Sequence, residues 1–160
     1  MKELVRNFEC LGLNDVETFI ASGNVIFKAP SRNTRNLQNK IEAQLQRSLG
    51  YEVKAFIRTD SEVAAVAEYQ PFSAPQMKRS AAFNVAFLEK PLDAAGTGLL
   101  MALKTDIDDF HVQSREAYWL CKRKQSESKF SNAVFEKALK IRSTLRGMQT
   151  IAKLAAKLAR

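Results

Sequence analysis

Apolar positions along the chain change period several times, and each change marks an element. Leu4, Phe8 and Leu11 recur at helical spacing in residues 1–11, and Gly12 followed by Leu13 fits a helix end closed by a left-handed glycine. The stretch 18–28, TFIASGNVIFK, reads as two β-branched and aromatic arms hinged on Ser22, Gly23 and Asn24, with Gly23 supplying a positive φ. A two-residue loop at Ser22 and Gly23 sets Ile20 opposite Val25 and Thr18 opposite Phe27, with Phe19 and Ile26 on the other face. Both faces are then largely apolar, the pattern of a hairpin inside a sheet covered on two sides. Leu37, Ile41 and Leu45 predict a helix capped by Asn33 or Thr34 and stopped at Gly50. Val53, Ala55 and Ile57 alternate as a strand over 53–58. Thr59 with Glu62 has capping-box spacing and opens a short helix through Glu68.

Pro71 and Pro75 mark a stretch of loop character to about Arg79, and a second series follows it. Residues 81–88 form a continuous apolar strand, and Asp93 caps a helix ending near Lys104. Residues 109–113 and 117–121 pair around a loop of Ser114, Arg115 and Glu116. Ser128 or Ser131 caps a helix bearing Phe130, Val134 and Phe135; 141–145 is a short strand, and 150–159 a last helix with Ile151, Leu154 and Leu158 in register. The second series is strand, helix, hairpin, helix, strand, helix, and the first is the same without its opening strand. The expectation is an α+β chain of two tandem ferredoxin-like (βαββαβ) halves, the first lacking its N-terminal strand, with a C-terminal helix. The halves are placed at 1–70 and 81–160, with 71–80 as linker.

Composition changes this picture mainly through charge. The chain has 160 residues and a formal net charge of +8. Residues 1–121 hold 14 Lys and Arg against 15 Asp and Glu, whereas residues 122–160 hold 11 against Glu127 and Glu136 alone. The basic excess therefore lies in the last quarter, the footprint of a polyanion or the solvated faces of basic helices. Cys10 and Cys121 form no CxxC, and two buried free thiols suit a reducing cytoplasm. No apolar run approaches the roughly 18–20 residues of a spanning helix, and the basic amphipathic last helix reads as a terminal docking helix, so no membrane partner is expected.

Few residues carry chemistry. His111 is the only histidine, GxGxxG and GxxxxGK[ST] are absent, and neither a metal nor a cofactor is expected. With a three-residue hairpin loop, Asp109, His111 and Cys121 share a sheet face, the raw material of a nucleophile, base and orienter; no oxyanion motif accompanies them. Asp106, Asp108 and Asp109 lack the glycine turn and distal Glu of a calcium loop. Trp119 precedes Lys122, Arg123 and Lys124, with Lys129 beyond, the stacking-plus-charge combination that holds single strands. Arg146, Thr150 and Lys153 form a second candidate anion site if Thr150 caps the last helix.

The segments FIASGNVIF (19–27), SKFSNAVFEKAL (128–139) and STLRGMQTIAKL (143–154), with LGLNDVETFI before them, resemble the bacterial domain-of-unknown-function family sixteen-ninety-seven (DUF 1697). The resemblance implies two ferredoxin-like subdomains and no established activity. It also implies an additional strand and an Arg-Gly loop before the first helix, so that Met1 lies late relative to the family. Asn and Trp are implied after the tail arginine, where this chain has Gly147, Met148 and Gln149 after Arg146. Three readings stay open: a non-catalytic module binding nucleic acid or another polyanion through Trp119, Lys122, Arg123, Lys124, Lys129, Arg146, Thr150 and Lys153; a small enzyme near His111 and Cys121; and a structural or partner-binding protein. An unprotected sheet edge in the first half points to self-association.

Overall fold

A computed structural model describes residues 2–20, 23–30 and 33–160. The architecture is α+β with two sheets, and the chain divides into two compact units, Met1–Arg58 and Thr59–Arg160. Residues 59–70, assigned to the first half on sequence, thus fall in the second unit, where α3 (Asp60–Glu68) packs on the last helix, α7 (Met148–Leu158). The expected linker contains α4 (Ala74–Lys78), whose N-terminus is closed by a capping box of Ser73 and Gln76.

Unit 1 contains α1 (Lys2–Glu9), β1 (Asn14–Thr18), β2 (Val25–Lys28) and α2 (Thr34–Leu49). Asn33 caps α2 by accepting from the Asn36 amide at 3.0 Å, and Gly50 closes it at φ 80°. Phe8, Leu13, Leu37, Ile41 and Leu45 are the buried core, with half-buried Val16, Val25, Phe27, Val53, Ala55 and Ile57 packed on it.

The hairpin register differs from the one expected. Thr18 pairs with Val25 and Glu17 with Ile26, so the first arm is the polar NDVET upstream of the apolar run. The amide of Phe19 donates to the Asn24 carbonyl at 3.0 Å, and Asn24 Nδ2 donates back to the Phe19 carbonyl at 3.1 Å. That closure leaves Ile20 and Gly23 beyond the ladder. Ile20 sits there at φ 51°, 43% exposed, while Gly23 has the expected positive φ of 78°; Ser22 of the expected hinge lies outside the described residues. Among the described residues the sheet has two strands, where the interior of a larger sheet was expected. Residues 53–58 keep the strand alternation but enter no ladder among the described residues, and the Ala55 amide donates instead to Glu42 Oε2 at 2.8 Å.

Unit 2 continues from α3 and α4 with β3 (Ala82–Leu88), α5 (Ala94–Met101), β4 (Asp108–Gln113), β5 (Glu116–Cys121), α6 (Asn132–Leu139), β6 (Ser143–Gly147) and α7. The sheet order is β4-β5-β3-β6, antiparallel throughout. One face carries Ala86, Leu88, Phe110, Ala117, Trp119 and Cys121 against Leu100 of α5 and Phe135 of α6. The other carries Phe83 and Tyr118, which meet Phe72 and Tyr69 ring to ring, with Val63 and Val66 of α3 also buried. β6 starts at Ser143 instead of 141, and α7 starts at Met148 instead of 150. Gly147, not Thr150, occupies the N-cap of α7, so the cap is made without a side-chain hydrogen bond. Of the two thiols Cys121 is buried as expected, whereas Cys10 is exposed at the end of α1.

Candidate functional site

The β4–β5 hairpin decides which residues can act together. Its loop has two residues, Ser114 and Arg115, because Gln113 pairs with Glu116. Arg115 Nη2 is held by Glu62 Oε2 of α3 at 2.6 Å, which fixes the turn from outside the hairpin. Every partner is therefore shifted by one from the three-residue expectation, and a one-residue shift moves side chains to the opposite face. Asp108, not Asp109, faces Cys121; His111 faces Tyr118, not Trp119. His111 Nε2 lies 2.7 Å from the Tyr69 hydroxyl, on the face opposite Cys121. Burial, the largest influence, pushes the Cys121 thiol up, with neighbouring Asp108 adding to it. The proposed nucleophile is thus a neutral core thiol, and its base is on the other side of the sheet.

Asp108 is the polar hub the sequence reading missed. It is 3% exposed, yet Oδ1 accepts from Trp119 Nε1 at 2.8 Å and Oδ2 from Thr105 Oγ1 at 2.7 Å. Ser128 Oγ lies 2.8 and 2.9 Å from the two oxygens and accepts from the Phe130 amide at 3.0 Å. Burial pushes the Asp108 carboxyl up, but these bonds together with Cys121 outweigh it and hold it below the usual aspartate range. The hub anchors the 122–131 connection to the sheet. The available signal was Thr105 three residues before Asp108, a spacing at which a hydroxyl meets a local backbone amide, as Thr105 Oγ1 does at 3.0 Å.

Trp119 is 1% exposed, packed on Phe130 with ring centroids 4.8 Å apart. It offers no face to a base. Lys122, Arg123, Lys124 and Lys129 are exposed, and among the described residues no ion pair holds their side chains; the Lys124 amide donates to Glu127 Oε2 at 3.1 Å. Backbone bonds gather further cations at the same sheet end: Ala81 donates to the Cys121 carbonyl and Lys122 to the Ile107 carbonyl, each at 2.8 Å. The α4–β3 connection with Arg79 and the α5–β4 connection with Lys104 thus flank Lys122. These three cations line a pocket of about 230 Å³ together with Gln76, Asp106 and Asp109. Lys104 Nζ is paired with Asp109 Oδ1 at 3.4 Å, and Arg79 Nε donates to the Pro75 carbonyl at 3.3 Å.

The second candidate group is dispersed. The antiparallel order brings the end of β6, and with it the start of α7, to the sheet end where β5 finishes. Arg146 there donates through Nη1 to Thr144 Oγ1 at 2.6 Å and to the Leu145 carbonyl at 2.9 Å, and burial pulls its guanidinium down from its ordinary value. Thr150 lies within the first turn of α7, and Lys153 is exposed one turn on. Among the described residues no group of three or more His, Cys, Asp or Glu side chains could hold a metal ion. Nor is any helix among them long and apolar enough to cross a membrane.

Helices and two sheets define an α+β protein. The family model "Protein of unknown function (DUF1697)" matches residues 1–118, and the chain belongs to that family. The tail segments 128–139 and 143–154 lie beyond the matched stretch. A solved structure described as the conserved bacterial protein SP0830 from Streptococcus pneumoniae is similar over 100% of this chain and 89% of its own, at 20% identity and a TM-score of 0.72. That likeness is one of fold. No curated protein matches by sequence.

Proposed function

We propose that this protein is a non-catalytic polyanion-binding module whose contact surface is the basic sheet end of unit 2. The observation that carries the reading is the exposed Lys122, Arg123, Lys124 and Lys129, whose side chains enter no ion pair among the described residues, beside the pocket of Arg79 and Lys104. The charge imbalance of residues 122–160, 11 basic against two acidic, supports it. Arg146 and Lys153 extend the positive field from the neighbouring strand and helix. Because Trp119 is buried, binding rests on phosphates or sulfates and not on stacked bases, and nucleic acid is held without base preference. The free thiols fit a cytoplasmic setting. We also propose that unit 2 follows the ferredoxin-like split βαβ plan, and that unit 1 follows it without the first strand.

A labelled single-stranded oligonucleotide titrated at low salt tests this. Affinity is expected to fall steeply with salt, and replacing Lys122, Arg123 and Lys124 by Ser to flatten the slope by up to about two units, at roughly 0.7 per lost contact. Heparin competes fully, and Trp119 fluorescence stays unquenched. Absence of binding at low salt overturns the reading; a strong base preference overturns its charge-only form.

A further inference from the structure

We propose that the pocket at the basic sheet end recognises a ribose phosphate: a phosphate held by Arg79 and Lys122, beside a sugar whose vicinal hydroxyls donate to Asp106 and Asp109. This deepens the polyanion reading, on which it rests for the phosphate contact. The pocket of about 230 Å³ lies wholly within unit 2, and local bonds fix its walls. The Thr105 amide donates to the Asp108 carbonyl at 3.1 Å, and Thr105 Oγ1 accepts from the Ile107 and Asp108 amides at 3.2 and 3.0 Å. Asp106 therefore stands on a closed turn. The Lys122 amide donates to the Ile107 carbonyl at 2.8 Å and ties the end of β5 to that turn. On the third side the Arg79 amide closes α4 on the Gln76 carbonyl at 3.2 Å.

The charges in this space are mixed, and most are not spent on one another. Arg79, Lys104 and Lys122 share the lining with Asp106 and Asp109, yet among the described residues they form one ion pair, Lys104 Nζ to Asp109 Oδ1 at 3.4 Å. Arg79 spends Nε on the Pro75 carbonyl, which leaves its two terminal nitrogens as a fork for phosphate oxygens. Asp109 Oδ1 also accepts from the Phe110 amide at 2.8 Å, whereas Oδ2 has Gln76 Nε2 at 3.4 Å. Asp106 is exposed and enters no ion pair among the described residues. Thr105 is already committed, since its hydroxyl donates to Asp108 Oδ2 at 2.7 Å.

Carboxylates set among cations repel a bare phosphate chain, but they accept from hydroxyls carried next to a phosphate. A ribose bears that pair of hydroxyls, and Leu120 and Ile107 offer its ring carbons an apolar floor. The lining holds no aromatic side chain on which a base could stack. Its volume also falls below the roughly 300 Å³ at which pockets enclose larger ligands, so the base stays outside. Two sources carry this chemistry: the 3′-terminal residue of an RNA strand, and a free ribonucleoside monophosphate. Either way the 2′-hydroxyl sets the ligand apart from its deoxy counterpart.

The test titrates the full chain with a short 5′-labelled RNA strand ending in ribose or in 2′,3′-dideoxyribose. The dideoxy end is expected to weaken binding at least about tenfold, with the salt slope unchanged. Asp106→Asn is expected to erase that ratio while raising affinity for the dideoxy-ended strand, because a repelling charge is removed; a fall in both affinities overturns the assignment. Adenosine 5′-monophosphate and its 2′,3′-dideoxy analogue separate the sources. Displacement of the strand by the first and not the second places a free nucleotide in the pocket. No displacement by either, with the strand-end ratio intact, assigns the pocket to RNA termini. Equal affinity for both strand ends, with no difference between the two monophosphates, overturns the proposal, and steep salt dependence in that experiment leaves the polyanion reading standing. Diol-dependent monophosphate binding without oligonucleotide or heparin binding overturns the polyanion surface instead and keeps the pocket.

Discussion

Gly23 sits at φ 78° in a loop closed by the reciprocal bonds of Phe19 and Asn24. A β-branched side chain is a steric outlier at that φ, so Gly23→Val is expected to lower stability by more than about 1 kcal/mol in denaturant melts, with an unchanged midpoint as the contrary result. Asp108 allows a prediction with a pH signature. Its carboxyl is more acidic folded than unfolded, because the bonds from Thr105, Trp119, Ser128 and Cys121 outweigh burial. Such a group stabilises the fold above its unfolded value, near pH 4, and that contribution disappears as pH falls through the folded value. Asp108→Asn is expected to cost about 1–3 kcal/mol at neutral pH and to flatten the acid limb of the stability curve. Urea melts at pH 7 and in steps below about pH 4 decide it; an acid limb as steep as the parent's counts against the account. Individual positions were legible where the backbone demands them, as at Gly23, Asn33 and Gly50. They were not legible where tertiary neighbours decide: nothing local tells that Trp119 is roofed by Phe130 or that Cys10 faces solvent.

At the scale of elements, the longer helices were readable because apolar spacing agrees with a cap signal, whereas the short α4, closed by Ser73, was read as loop. Asn33, Thr59, Ser73, Asp93 and Ser131 all act as side-chain caps. Strand registers were not readable, since period two leaves the pairing undetermined by one residue and the loop length alone resolves it. The β4–β5 loop has two residues because Glu116 enters the ladder while Arg115 is held by Glu62. That slip dissolves the Asp109, His111 and Cys121 constellation. Residues 53–58 show the complementary failure: their alternation is real, but they enter no ladder among the described residues. The hairpin yields its own prediction. Ser114 adopts φ 55° at the first of two loop positions, where hairpins of this length favour glycine. Ser114→Gly is expected to raise stability by about 0.5–1 kcal/mol, since the left-handed region costs an L-residue more than glycine's extra unfolded freedom. Equal or lower stability in a melt would place the turn's constraint on Arg115 instead.

Across the whole chain the two units differ in how completely each buries its apolar surface. In unit 1 the fully buried cluster is Phe8, Leu13, Leu37, Ile41 and Leu45, and the strand residues around it stay half-exposed. In unit 2 a central strand paired on both edges lies between helix-covered faces, and Leu88, Leu100, Cys121 and Phe135 are 0% exposed. Burial of apolar area is the main favourable term, at about 25 cal/mol per Å², and a two-stranded sheet is marginal by itself. Unit 1 is therefore expected to open at lower free energy than unit 2. Native-state hydrogen exchange in rising denaturant resolves this: amides of β1, β2 and α2 should exchange through a sub-global opening while those of β3 and β5 persist to global unfolding. A single transition in which β2 and β3 amides share one opening free energy would show instead that half-burial in unit 1 carries no stability cost.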